Sequence, residues 1–179
     1  MSEQFRRPLP HDFHPPVASF TVVSDDVSEG RPLKADQVKD GGDTSPHLRW
    51  EGFPAETRSF AVTCFDPEAP TGSGFWHWSV FDIPADVTEL PAGAASGDMK
   101  GLPAGAVHVR NDNGTRDYVG AFPPPGDGPH RYVFTVYAVG EEKLGVPPEA
   151  APAVVGFNLR FKAIGRAQLI GLHETPAEG

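Results

Sequence analysis

The chain has 179 residues, with Lys+Arg 15 against Asp+Glu 24 and a net charge of −9, which fits one domain able to bury a core without disulfide or metal staples. The acidic balance excludes a nucleic-acid binder that works through a basic face, and no apolar run approaches the ~20 residues of a membrane-spanning helix. Cys64 is the single cysteine, which excludes an internal disulfide framework.

The opening MSEQFRRPLPHDFHPP carries charge and proline where a signal peptide would carry an apolar stretch. A cytoplasmic setting is therefore expected, with residues 1–16 as an N-terminal arm on a single domain spanning 1–179. Gly 20 and Pro 20 fall between apolar runs, so they read as punctuation of strands. Residues 18–23 (ASFTVV) predict a first strand, 40–46 (DGGDTSP) a loop, and 48–50 (LRW) a short strand. Residues 59–65 (SFAVTCF) and 75–83 (FWHWSVFDI) predict stronger ones. Weaker strand character at 107–110 stops at an Asn113-Gly114 turn. Residues 131–139 (RYVFTVYAV) form the strongest pattern, alternating Tyr132, Phe134, Val136 and Ala138 against Val133, Thr135, Tyr137 and Val139.

One helix is expected after Glu149. Val154, Phe157, Phe161 and Ile164 fall at helical spacing, Pro152 suits the first turn and Gly165 suits the C-terminal cap. Residues 167–172 predict a closing strand, because Gly165 and Gly171 would weaken a helix there. Strands without regularly interleaved helices imply a mainly β protein, an antiparallel β-sandwich with one or two short helices.

Two stiff loops carry the unusual residues. Asp66-Pro67-Glu68-Ala69-Pro70 leads through TGSG into Phe75-Trp76-His77-Trp78. Asp117-Tyr118-Val119-Gly120-Ala121-Phe122-Pro123-Pro124 leads through PGDGP into His130-Arg131-Tyr132. Each places a histidine at or near the start of a strong strand. Loops of Pro and Gly can aim several backbone N–H groups at one spot, and histidines add donors or charge near neutral pH, so an anion pocket is expected. Asp66 would orient a histidine or accept from a ligand hydroxyl or ammonium.

These two motifs, with Ser45-Pro46 and Leu48-Arg49-Trp50 ahead of them, resemble the phosphatidylethanolamine-binding protein family in its bacterial, Raf-kinase-inhibitor-like form. The resemblance covers roughly residues 19–174. It implies a β-sandwich with a small pocket that takes phosphate, acetate, cacodylate or a phosphoethanolamine head group. Carried over by motif, the ligand-binding set is Asp66, His77, Gly120, Pro123, Pro124, His130 and Tyr132. Phe122 stands where relatives usually carry a small residue, placed either to narrow the pocket mouth or to fold away from it.

The family's members modulate kinases or proteases and are not established enzymes, so no catalytic residue, metal or cofactor is expected. The expected partners are a phosphate-like anion or phosphorylated small molecule, a kinase or protease, and a second copy in a homodimer to which the apolar tail 167–172 contributes. The competing reading is a small hydrolase using His77, His130 and Asp66 as acid/base groups or metal ligands. No G-x-S-x-G elbow, H-E-x-x-H or phosphate loop supports it. His11-Asp12-Phe13-His14 has metal-ligand residue types but no further ligands nearby in sequence.

Overall fold

The computed structural model describes residues 7–179, so the first six residues of the expected arm lie outside the described residues. The long strands are β5 (Ser59–Asp66), β6 (Phe75–Pro84) and β9 (His130–Val139), as their alternation predicts. With β10 (Ala163–His173) they make the centre of a seven-stranded sheet in the order β10-β9-β5-β6, antiparallel throughout. β8 (Val107–His108) pairs with β6 at one edge. At the other edge β1 (Ala18–Ser19) and β3 (Arg31–Pro32) both pair with β10 in parallel, so the expected antiparallel sheet is mixed there.

The second sheet is small and antiparallel: β2 (Thr21–Val23), β4 (Leu48–Glu51) and β7 (Glu89–Leu90). The first predicted strand is thus two strands. Residues 18–19 belong to the large sheet and 21–23 to the small one, so this segment crosses between them at Phe20. The two sheets enclose the main core. Val22, Leu48, Trp50 and Leu90 from the small sheet meet Phe60, Val62, Trp78, Phe134 and Val136 from the large one. The other face of the large sheet is apolar too, with Ala61, Phe81, Tyr137 and Val139 packed under Val155 and Leu159 of α1 (Pro152–Lys162). Because both faces meet apolar partners, β9 is buried along its whole length.

Two expectations are corrected. The helix does not bury Val154, Phe157 and Phe161, which are 41%, 63% and 67% exposed; Val155 and Leu159, one turn apart, face the sheet instead. Gly165 is no helix cap, because α1 runs straight into β10 and Gly165 pairs with Ala18 and Ala138 there. The tail 167–172 is the closing strand the sequence predicts: Ala167 and Leu169 belong to the main core, while Ile170 and Leu172, on the other face, are half-buried.

β6 carries a bulge where its pairing with β5 shifts register between Phe60 and Val62. Asp82 lies there with φ 58°, and its Oδ1 accepts the Leu144 N–H at 2.8 Å, tying the segment before α1 to the sheet.

The helix face can be checked by mutation. Leu159→Ala should lower stability by about 2–4 kcal/mol through a cavity under α1. Phe157→Ala, on the exposed face, should stay within about 0.5 kcal/mol of the parent. Thermal or urea denaturation reads both; a larger loss at Phe157 would contradict the orientation.

Candidate functional site

Asp66 ends β5 beside the first residue of β9, His130, because the two strands are antiparallel neighbours. Its Oδ1 accepts the N–H of Glu68 at 2.8 Å and of Ala69 at 3.1 Å, an Asx turn across Pro67 that shapes the following loop. Its Oδ2 lies 2.7 Å from His130 Nδ1, and His130 Nε2 lies 2.7 Å from Asp127 Oδ2. Burial works against the charged form of His130, but the two carboxylates outweigh it and raise its pKa. Both ring nitrogens of His130 are therefore donors to carboxylates, and its charge is spent on them.

His77, on β6, has the opposite character. Its Nδ1 lies 2.8 Å from the Val119 carbonyl, which can only accept, so Nδ1 carries the proton and Nε2 the lone pair. Burial pushes its pKa down to about 4, against the pull of the Val119 and Gly120 carbonyls and Asp66. At neutral pH it is an uncharged imidazole.

Tyr132 follows His130 by two on β9 and so shares its face. Its ring stands edge-on to His77 with centroids 5.2 Å apart. The residue is 1% exposed, and its hydroxyl, close to the Asp66 carboxylate, makes no well-formed hydrogen bond among the described residues. Burial, with Asp66 beside it, holds the phenol well above its ordinary pKa, so the hydroxyl keeps its proton.

A cavity of about 170 Å³ opens between the two loops, lined by Asp66, Ala69, Pro70, Thr71, Phe75, His77, Phe122, Pro123, Pro124 and Tyr132. Five of the seven expected residues thus line it. Phe122 turns towards it and completes an aromatic wall, with centroids 5.3 Å from Phe75 and 5.8 Å from His77. Lys39 Nζ lies 5.2 Å from the Phe122 ring, the cation next to the mouth.

The two other expected residues act from behind. His130 stands behind Asp66. Gly120 gives its N–H to Asp43 Oδ1 at 2.6 Å, and a Cβ there would lie 2.4 Å from Lys39 N, so the position admits only glycine for packing reasons.

Sequence reasoning missed Asp127, although Asp three residues before His130 was in view, and it missed Arg7. Arg7 Nη1 donates to the Ala69 carbonyl at 3.0 Å. Arg131, outside the expected set, grips Glu68 at 2.6 and 3.0 Å and donates to the Arg7 carbonyl at 2.8 Å. The arm is thereby tied to the pocket loop. The histidines of the arm go elsewhere: His11 Nδ1 meets Gln168 Nε2 at 2.8 Å, and the His14 ring tilts against Tyr137. Among the described residues no cluster of three or more His, Cys, Asp or Glu side chains is arranged to hold a metal ion.

Residues 23–174 match the family described as phosphatidylethanolamine-binding protein. The chain is 45% identical over 167 residues to the UPF0098 protein YbcL of Escherichia coli, covering 90% of this chain and 91% of that one. It is 44% identical to the UPF0098 protein YbhB of the same organism, over 84% of this chain and 98% of that one. The crystal structure of YbcL superposes with a TM-score of 0.85 over 88% of this chain and 99% of that one. A homologue from Chlamydia trachomatis, 25% identical, reaches 0.74 over 88% and 98%.

The buried neutral His77 sets a pH dependence. Its folded pKa of about 4 lies below the ordinary 6.5, so the unfolded chain binds the extra proton first and stability falls as pH drops from 6.5 towards 4. The loss is on the order of 3 kcal/mol for this residue. His108, also lowered to about 4, acts in the same direction, whereas His130, with its raised pKa, contributes stability below that pKa and loses it above. His77→Gln should flatten the acid limb of stability against pH without abolishing it, as denaturant melts between these pH values would show. Gly120→Ala should cost about 1–3 kcal/mol at all pH values, through overpacking against Lys39.

Proposed function

The chain belongs to the phosphatidylethanolamine-binding protein family, and we propose that it works as a binding module that takes a small oxyanion, inorganic phosphate or a phosphorylated head group, between its two signature loops. The Tyr132 hydroxyl carries this reading. Buried beside Asp66 without a well-formed bond, it is at most part-satisfied, against about 1–3 kcal/mol for a wholly unpaired hydroxyl, and a ligand oxygen accepting from it supplies the better partner. At about 170 Å³ the cavity suits one small head group, below the ~300–1,000 Å³ of drug-sized sites.

The binding reading is favoured over a hydrolase by what each group is already doing. An acid/base histidine needs a free nitrogen with a pKa near neutrality: His130 has both nitrogens on carboxylates, and burial lowers the pKa of His77, whose Nε2 is open, to about 4. The Thr71 hydroxyl, the one alcohol on the cavity wall besides the Tyr132 phenol, donates to the Gly74 carbonyl within its own loop. With its proton on that carbonyl, the hydroxyl is not hydrogen-bonded to His77 or Asp66, as an activated nucleophile would be. Through this pocket the protein would modulate a partner protein such as a kinase or protease. Support for such a contact is the exposed aromatic face of Phe13, Phe157 and Phe161. A reducing, cytoplasmic setting accords with one cysteine, buried and unpaired.

Calorimetric titration with inorganic phosphate at about pH 5.5, below the value of about 6 at which monoester-type phosphates lose their last proton, should show one saturable site. Tyr132→Phe should bind it about tenfold more weakly, the value of one hydrogen bond to a charged acceptor, with an unchanged fold. Equal affinity in that variant would remove the hydroxyl from the site. Turnover of phosphate esters or peptides that Asp66→Asn abolishes would replace the binding reading with the enzyme.

A further inference from the structure

The side chains that face the cavity offer an unusual balance for an anion. The usual sources of positive charge are missing: the His130 cation is enclosed by Asp66 and Asp127, and Arg131 grips Glu68. Asp43 is turned to the Gly120 N–H, and Lys39 stays at the mouth beside Phe122. Among the lining side chains the Tyr132 hydroxyl is the one buried O–H donor without a well-formed bond, and it lies beside the Asp66 carboxylate, from which a ligand oxygen must draw it. Against it stand two acceptors, the His77 Nε2 lone pair, fixed by the Nδ1 bond to Val119, and the Asp66 carboxylate. An oxyanion without a proton would bring lone pairs against both.

We propose that this cavity selects oxyanions that still carry a proton, a monobasic phosphate or phosphate monoester, and rejects fully ionised or fully esterified anions of the same shape. One ligand oxygen accepts from Tyr132, and the P–O–H donates to His77 Nε2 or to Asp66. The ligand thus supplies the donor that the protein withholds. A site built of acceptors discriminates by leaving the wrong ligand's groups unpaired, which costs more than a missing contact. The proposal rests on the oxyanion reading above and adds the protonation state as the selected feature.

The expected pH profile follows the ligand. A phosphate monoester loses its last proton at about pH 6, so affinity should fall as pH rises through that value. Towards pH 4 His77 itself gains a proton, Nε2 becomes a donor, and the discrimination against bare anions should fade.

The test is calorimetry on the full chain with four probes: inorganic phosphate, methyl phosphate, dimethyl phosphate and sulfate. At about pH 5.5 the first two should bind at least about tenfold more tightly than the last two; by about pH 8 methyl phosphate should lose about tenfold or more, and inorganic phosphate, which holds its proton to higher pH, several-fold. Dimethyl phosphate stands in for the phosphodiester of a lipid head group, so the same series separates a free phosphate or monoester from a lipid source. His77→Gln, whose amide can turn a donor to the ligand, should raise sulfate towards phosphate. Sulfate binding as well as phosphate at pH 5.5 overturns the selection while leaving the oxyanion reading intact. Selectivity unchanged in His77→Gln overturns the role given to His77. Failure of all four probes at millimolar concentration overturns the oxyanion reading itself, and this inference with it.

Discussion

The site depends on one buried carboxylate. Asp66 is 2% exposed, and an ionised carboxylate at that depth is tolerable only if its oxygens are hydrogen-bonded. Three groups meet this need, and each positions something else. The Glu68 and Ala69 N–H groups bend the loop that walls the cavity, and His130 locks the start of β9 to the end of β5. His130 in turn holds Asp127 and with it the Gly126-Asp127-Gly128 turn that follows Pro123 and Pro124. One interaction at the ends of two neighbouring strands therefore sets the relative position of both loops.

The arm extends the same network. Glu68, two residues past Asp66, receives Arg131 from β9 in a largely buried ion pair, and Arg131 reaches on to the Arg7 carbonyl while Arg7 reaches back to Ala69. The loop of residues 67–74 is thus held from both sides. Towards the cavity it presents Ala69, Pro70 and Thr71; towards the arm, Pro67, Gly72, Ser73 and Gly74 face a second, apolar hollow under Pro8, Pro10 and Phe13. A loop braced at both faces can keep a small cavity open without a ligand, which is what preorganised binding requires.

The parts of the fold legible in the sequence are those with enough residues to show a period. β5, β6 and β9 run eight to ten residues, and their alternation survives burial on both faces. β3, β7 and β8 are two residues each, too short for any period to register. The helix was visible, but its orientation was not, because α1 carries apolar residues on two faces and only the sheet decides which is covered. Val155 and Leu159 fit over Tyr137 and Val139, and the larger Phe157 and Phe161 are left to pack on each other. In the pocket, the motif residues were legible through family resemblance, whereas Arg7 lies 62 residues from the carbonyl it holds and no local pattern announces that contact.

The chemical role of the histidines was the least legible feature, and the reason is physical. A sequence shows an imidazole but not its tautomer, which depends on the group that meets each nitrogen. Two histidines suggest two donors for an anion, yet His77 faces a carbonyl 42 residues away and His130 faces two carboxylates. Those partners convert one histidine into an acceptor and the other into a structural cation. The cavity is consequently closer to neutral, or negative, than its composition suggests. For the oxyanion proposed above, affinity would then come from hydrogen bonds that match donor to acceptor, with Lys39 contributing only from the mouth. Matching of that kind is short-ranged and little screened by salt, so on the proposed reading specificity would reside in where the ligand's protons are rather than in how much charge it carries.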